Sequence, residues 1–180
     1  MSDSMHGCEE LMLQRRVQFV LCYGSDGSPG RLDEGQYPMV RLGQEMLVPV
    51  CVPDDAGAPS FRVGGSEPLP VLGYGEGSAL GRILRERVRP ILEPVGSERP
   101  VQSISVVFTA VNGALLKAMA LEGRGVAWLP ETMVVEDLRS GRLRDAGAGK
   151  YRVPIEIRLY RQHSELTTAA ESLWAVVQPR

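Results

Sequence analysis

The sequence predicts an α/β fold, and three observations carry the prediction. Between residues 69 and 145, strand-like runs alternate with amphipathic helical segments over short connections, the rhythm of a largely parallel sheet. Ahead of them, residues 53–70 form a Pro/Gly/Asp-rich break, the composition of a loop or a connection between lobes. After them, residues 153–160 (VPIEIRLY) switch to apolar-polar alternation, which predicts a strand with one buried face.

Each element has its own local reason. Residues 9–16 read as a helix leading into VQFVLCY at 17–23, a β-branched and aromatic run closed by Gly24 and Gly27. EMLVPVCV at 45–52 is a second strand, in which Pro49 implies a bulge or an edge position. LPVLGY at 69–74 is a short strand. Ser78 then caps a helix carrying Leu80, Ile83, Leu84 and Val88 on one face, stopped by Pro90. Residues 102–108 are the next strand, and a helix begins near Asn112 with Leu115, Leu116 and Met119 toward the core. Gly123 is placed as that helix's left-handed terminal residue. Residues 125–129 return to strand, and Pro130 opens a helix over 131–140 that ends at Gly141. The last helix puts Leu166, Ala170, Leu173 and Val177 on one stripe.

Composition narrows the function. At 180 residues the chain holds one ordinary domain or two small lobes. Net charge is −2 and the Lys/Arg residues are scattered, the wrong electrostatics for a stand-alone nucleic-acid binder. The longest apolar stretches run five to seven residues, far short of the ~20 that span a bilayer, and no signal peptide opens the chain. Cys8, Cys22 and Cys51 are odd in number with no CxxC pair, which fits reduced thiols in a cytoplasmic protein. His6 and His163 have no metal-ligand spacing, so neither a metal nor a cofactor is expected.

Three places can carry chemistry. Residues 73–81 (GYGEGSALG) join a strand to a helix N-terminus, where free N–H groups and the helix dipole favour anions. From Gly75 the spacing is GxGxxxG rather than the dinucleotide GxGxxG, and no acidic residue ends a strand about 20 residues on. A small α/β enzyme or nucleotide binder using this loop stands as the alternative to a ligand-facing or structural turn. Ser78 lies outside any GxSxG elbow, which disfavours a hydrolase. Thr109 and Asn112 join the next strand to its helix, and each either meets a small polar ligand or caps the helix. Cys22 and Tyr23 end a strand where α/β sheets bind ligands, although a free cysteine is more often a small buried apolar group. As a nucleophile Cys22 needs a partnered base, and neither histidine is evidently placed for that. Met12, Met39, Met46, Met119 and Met133 are oxidisable, yet core packing is their commoner use.

LKAMALEGRGVAWLP at 116–130 resembles a signature of LysR-type effector-binding domains, a helix closing on GxG and a strand ending in LP. VVEDLRSGRL at 134–143 looks like the helix and LxxGxL that follow it in that family, and RVQFVLC at 16–22 resembles an earlier family strand. There, Arg16 and Gln18 replace the usual Gly and Asp. The resemblance implies two Rossmann-like lobes similar to type II periplasmic binding proteins, the first lobe incomplete. Residues 1–53 plus 153–180 would form regulatory subdomain I and residues 54–152 subdomain II. The strand at 153–160 is then expected in a different sheet from that at 69–74. The implied function is a small-molecule effector-binding domain of a transcription regulator, not an enzyme. Cys22, Tyr23, Tyr74, Ser78, Thr109, Asn112 and Trp128 are the residues expected to meet the effector. DNA would be reached only through an N-terminal helix-turn-helix that this sequence does not contain. A homo-oligomer contacting through residues 8–23 or the C-terminal helix is expected, because the first lobe's strand edge is left unpaired.

Overall fold

In the computed structural model, residues 1, 3–92 and 102–178 are described. The chain runs α1 (Met5–Leu13), β1 (Phe19–Gly24), α2 (Arg31–Glu34), β2 (Met39–Cys51), β3 (Leu69–Tyr74) and α3 (Ala79–Arg87). It continues through α4 (Arg89–Leu92), β4 (Ile104–Ala110), α5 (Gly113–Leu121), β5 (Val126–Pro130) and α6 (Glu131–Ser140). The last elements are β6 (Arg144–Asp145), β7 (Val153–Arg161) and α7 (Thr168–Val177).

The strands hydrogen-bond in the order β1-β7-β2-β5-β3-β4, with β6 beside β2. Only β3–β4 and β3–β5 are parallel, so the parallel sheet read from residues 69–145 is confined to that half. The pairs β1–β7, β2–β7 and β2–β5 are antiparallel.

The expectation that residues 153–160 and 69–74 lie in separate sheets is not met. The cause is β2, whose 13 residues are long enough to serve both halves. Its first part pairs with β7, its second with β5, and Leu47 belongs to both ladders, opposite Val153 and opposite Pro130. Pro49 stands two residues further on. Its carbonyl accepts from the Ala146 amide at 2.8 Å, so its nitrogen faces away from β5, into the gap between the last β7 pair and the first β6 pair. No ladder donor is needed there. The bulge in β2 falls instead between Arg41 and Gly43.

The largest core lies around β2, β3 and β5, with Leu47, Leu72, Ile83, Leu116 and Leu129 buried within it. Two small clusters flank the other half. Met5, Met12, Val20, Leu32 and Tyr160 pack on one side together with Ala79 from α3, and Val40, Leu159 and Trp174 form the second. Adjacent residues of a strand face opposite ways, so Leu159 and Tyr160 show β7 buried on both faces, not the single face its alternation implied. In α7 the buried residues are Ala170 and Trp174, while Leu173 is exposed. Leu115 of α5 is likewise exposed, and Leu116 and Ala120 take the core.

Local signals are met where they are stereochemical. Ser78 accepts from the Gly81 amide, and Gly123 and Gly141 have φ of +71° and +78° at the ends of α5 and α6. Gly125, at φ +155°, brings its backbone against Pro70, whose carbonyl oxygen would lie 2.6 Å from an added Cβ.

Candidate functional site

A cleft of about 1010 Å³ opens where α1, β1, the β3–α3 turn and the β4–α5 turn meet, with Ile157 of β7 on its wall. Three nine-residue helices begin on it. Ser4 Oγ accepts from the Gly7 amide (3.1 Å), Ser78 Oγ from Gly81 (3.4 Å), and Asn112 Oδ1 from Leu115 (3.0 Å). Each cap satisfies one of the several amides a helix start leaves open, so further N–H groups remain at each of the three ends.

The cleft gathers Cys22, Tyr23, Tyr74, Ser78 and Asn112 from the predicted set. Ser78 caps α3 as the sequence predicted, Asn112 takes the capping role the sequence offered it, and both stand on the rim of the cleft. Thr109 and Trp128 do not line this cleft. Thr109 is the penultimate residue of β4, and the alternation that buries Ala110 leaves Thr109 in solvent. Trp128 is 3% exposed, donates from Nε1 to the Tyr151 carbonyl at 2.9 Å, and borders a separate cavity of about 300 Å³ beside α3 and β4.

Sequence reasoning missed Ser4, His6 and Cys8, which α1 brings to the cleft. The helix begins at Met5, four residues ahead of the predicted Glu9. A signal was present. Ser4 stands before Met5, Cys8 and Met12, an N-cap followed by an i, i+3, i+7 apolar stripe.

Burial sets the chemistry of the wall. It pushes the Cys22 thiol up to about 12, with the Asp33 charge adding to the effect, so this cysteine is a neutral group rather than a nucleophile at neutral pH. Burial also raises the Tyr74 hydroxyl, and the Tyr23 hydroxyl with a smaller contribution from Glu45. No lysine or arginine is among the described residues that line the cleft. What it offers is hydroxyls, amides and apolar surface, with the Asp3 and Glu76 carboxylates and the His6 ring also on its wall.

Below the cleft, Arg158 is 2% exposed and pairs with Asp26 (2.5 Å), Asp33 (3.1 Å) and Glu156 (2.6 Å). Tyr160 Oη donates to the same Asp33 oxygen at 2.6 Å. This network ties the β1–α2 loop to β7.

The LysR substrate binding domain family matches residues 1–180. The chain is 30% identical over 142 residues to the HTH-type transcriptional regulator YjiE of Escherichia coli K12, covering 78% of this chain and 44% of YjiE. It is also 30% identical over 142 residues to the HTH domain-truncated transcriptional regulator QseD of Escherichia coli O157:H7, covering 78% of this chain and 54% of QseD. The chain thus spans about half the length of the curated relatives it matches. Full-length HypT from Salmonella typhimurium, a hypochlorite-specific LysR-type regulator, superposes with a TM-score of 0.79 at 24% identity, over 98% of this chain and 56% of HypT. The fold is the type II periplasmic-binding-protein-like α/β fold that the sequence resemblance implied. This chain belongs to the LysR substrate binding domain family.

Proposed function

We propose that this chain senses a small-molecule effector for a transcription regulator acting in the cytoplasm, and that the effector binds in the 1010 Å³ cleft. One observation carries the reading: residues far apart in sequence, Cys22, Tyr23, Tyr74, Ser78 and Asn112, converge there with three helix N-termini. Ligand sites are concave, mostly apolar and marked by a few convergent polar groups, and this cleft is of that kind. Its ligand carries hydrogen-bond acceptors for the open amides and an apolar body for Leu21, Leu80 and Ile157. Residues 1–53 with 153–180 act as one half of the sensor and residues 54–152 as the other. DNA contact belongs to a helix-turn-helix outside this sequence, and the chain works as a homo-oligomer, supported by the exposed Leu21 on the end strand β1.

Thermal-shift screening against aromatic acids, amino acids and oxidants, hypochlorite among them, tests the proposal, since a ligand that binds only the folded state raises stability by RT ln(1 + [L]/Kd). Gly77→Phe adds a side chain whose Cβ falls 3.6–3.7 Å from His6 and Ser4, blocking the cleft without removing a cap. It should abolish a hit's stabilisation, and Thr109→Phe, away from the cleft, should preserve it. The opposite pattern places the ligand elsewhere.

A further inference from the structure

The loop from β1 to α2 reads GSDGSPG, with a glycine at every third position, and each glycine faces an arginine. Gly24 lies under the Arg158 side chain. A Cβ added at Gly27 would stand 2.6 Å from Arg87 Nη1, and one added at Gly30 would stand 2.7 Å from Arg82 Nη2. Arg158 comes from β7, but Arg82 and Arg87 both come from α3.

Other contacts of α3 run the same way. Arg82 Nη1 is 3.8 Å from the Oε1 of buried Glu9 on α1, and Arg87 Nη1 donates to Ser25 Oγ at 3.2 Å. Ala79 packs with Met5, Met12 and Val20, and the His6 amide donates to the Gly77 carbonyl at 3.2 Å. Five residues along a helix separate two attachment points by about 7.5 Å of axial rise. Two anchors that far apart fix the direction of a helix, where one would only tether it. The helix they direct starts at Ser78, on the rim of the cleft.

We propose that Arg82 and Arg87 are positioning residues for the cleft: seated against Gly30 and Gly27, they hold the Ser78 end of α3 over Cys22 and Tyr23 and set how far the cleft stands open. The significance of that opening rests on the cleft being the effector site, but the geometry can be tested without an effector. A guanidinium is flat and can lie on bare backbone, which is why glycine is required beneath it. Neither arginine touches a ligand in this scheme; both act through α3.

Thiol accessibility reads the opening directly. Cys22 lines the cleft, whereas Cys51 is wholly buried in the main core and reports general unfolding. The full chain is treated with N-ethylmaleimide and labelling is followed by peptide mass spectrometry in wild type, Arg82→Ala, Arg87→Ala and Gly27→Val. Gly27→Val keeps the charge and denies the seat. Each variant should label Cys22 about fivefold faster or more, as expected for a local opening, with Cys51 unchanged. Arg87→Lys, which keeps the charge without the planar fork, should restore only part of the protection. An unchanged Cys22 rate in any of the first three variants overturns the proposal. So does a parallel rise at Cys51, which would make the arginines general stabilisers. A failed effector screen leaves these rates as they are, so the two readings fail separately.

Discussion

The Tyr74 hydroxyl donates a hydrogen bond to the Trp128 carbonyl at 3.1 Å, so two residues expected to meet a ligand are bound to one another. The bond joins the C-terminal end of β3 to the middle of β5, beneath the floor of the cleft. Tyr74→Phe leaves that carbonyl without its donor in a buried setting, at a cost of about 1–3 kcal/mol. Urea denaturation checks it. A cost near zero would mean that the hydroxyl serves the cleft rather than the fold.

Arg158 and Gly24 form one unit, and substitutions there should hurt far more than at the neighbouring glycines. Arg158→Met takes the guanidinium from Asp33 and Glu156, whose side chains are 23% and 12% exposed. Asp33 keeps the Tyr160 hydroxyl and Glu156 keeps Arg41, so the loss should fall at or below the low end of the about 3–5 kcal/mol that a fully stranded buried charge costs. Asp26, at 76% exposure, adds little because water screens it. Gly24→Ala presses on the Cδ and Nε of an arginine that cannot yield, at about 1–3 kcal/mol. Gly27→Ala meets Arg87 less closely, at 2.6 Å from Nη1 and 3.2 Å from Cδ, and should cost less in chemical denaturation.

Stability should fall in alkali, and Cys22 should account for part of the fall. Its thiol is raised by burial from an ordinary value of 9.0 to about 12. Between those values the unfolded thiol has lost its proton while the folded one retains it. The unfolded state therefore binds fewer protons, and stability drops as pH rises, by up to about 1.4 kcal/mol per pH unit. Below pH 9 this group contributes no slope. Cys22→Ala should flatten the decline measured by urea titration between pH 9 and 11. Cys8, Cys51 and the raised tyrosines are common to both proteins, so the difference isolates Cys22. Equal slopes would show that the thiol is not desolvated.

Strand β1 ends the sheet with Leu21 62% exposed, and an end strand with an apolar face invites a second chain. Sedimentation velocity at micromolar concentration should show a species larger than the monomer, and Leu21→Lys should shift it toward the monomer. A monomeric wild type would remove β1 from the self-association argument.

Much of this architecture was legible from residues alone because it is written locally. The β3 bounds were read as they stand, Ser78 and Asn112 cap helices through their own side chains, and Gly123 and Gly141 end helices because φ is positive there. The GRGVAWLP run identified the family because a tight turn and a buried strand leave little choice of residue. Other features depend on which elements happen to pack together. Leu173 and Trp174 are both apolar, and only the stacking of Trp174 on Phe19 (6.2 Å between ring centroids) decides which is buried. Thr109 and Trp128 were expected to meet the effector, but the direction of a side chain follows from its strand's register with its neighbours, and neither lines this cleft. The single sheet, handed from β7 to β5 at Leu47, is likewise invisible to periodicity, since alternation records that a face is buried and never by what. Local chemistry made most elements, the Ser78 and Asn112 caps and the family readable, but not α2, β6, the first six residues of β2 or the Ser4 cap. Which candidates meet is set by packing, because the cleft gathers Cys22, Tyr74 and Asn112, and the ion pairs beside it join residues as far apart as Glu9 and Arg82, or Asp33 and Arg158, that no local pattern relates.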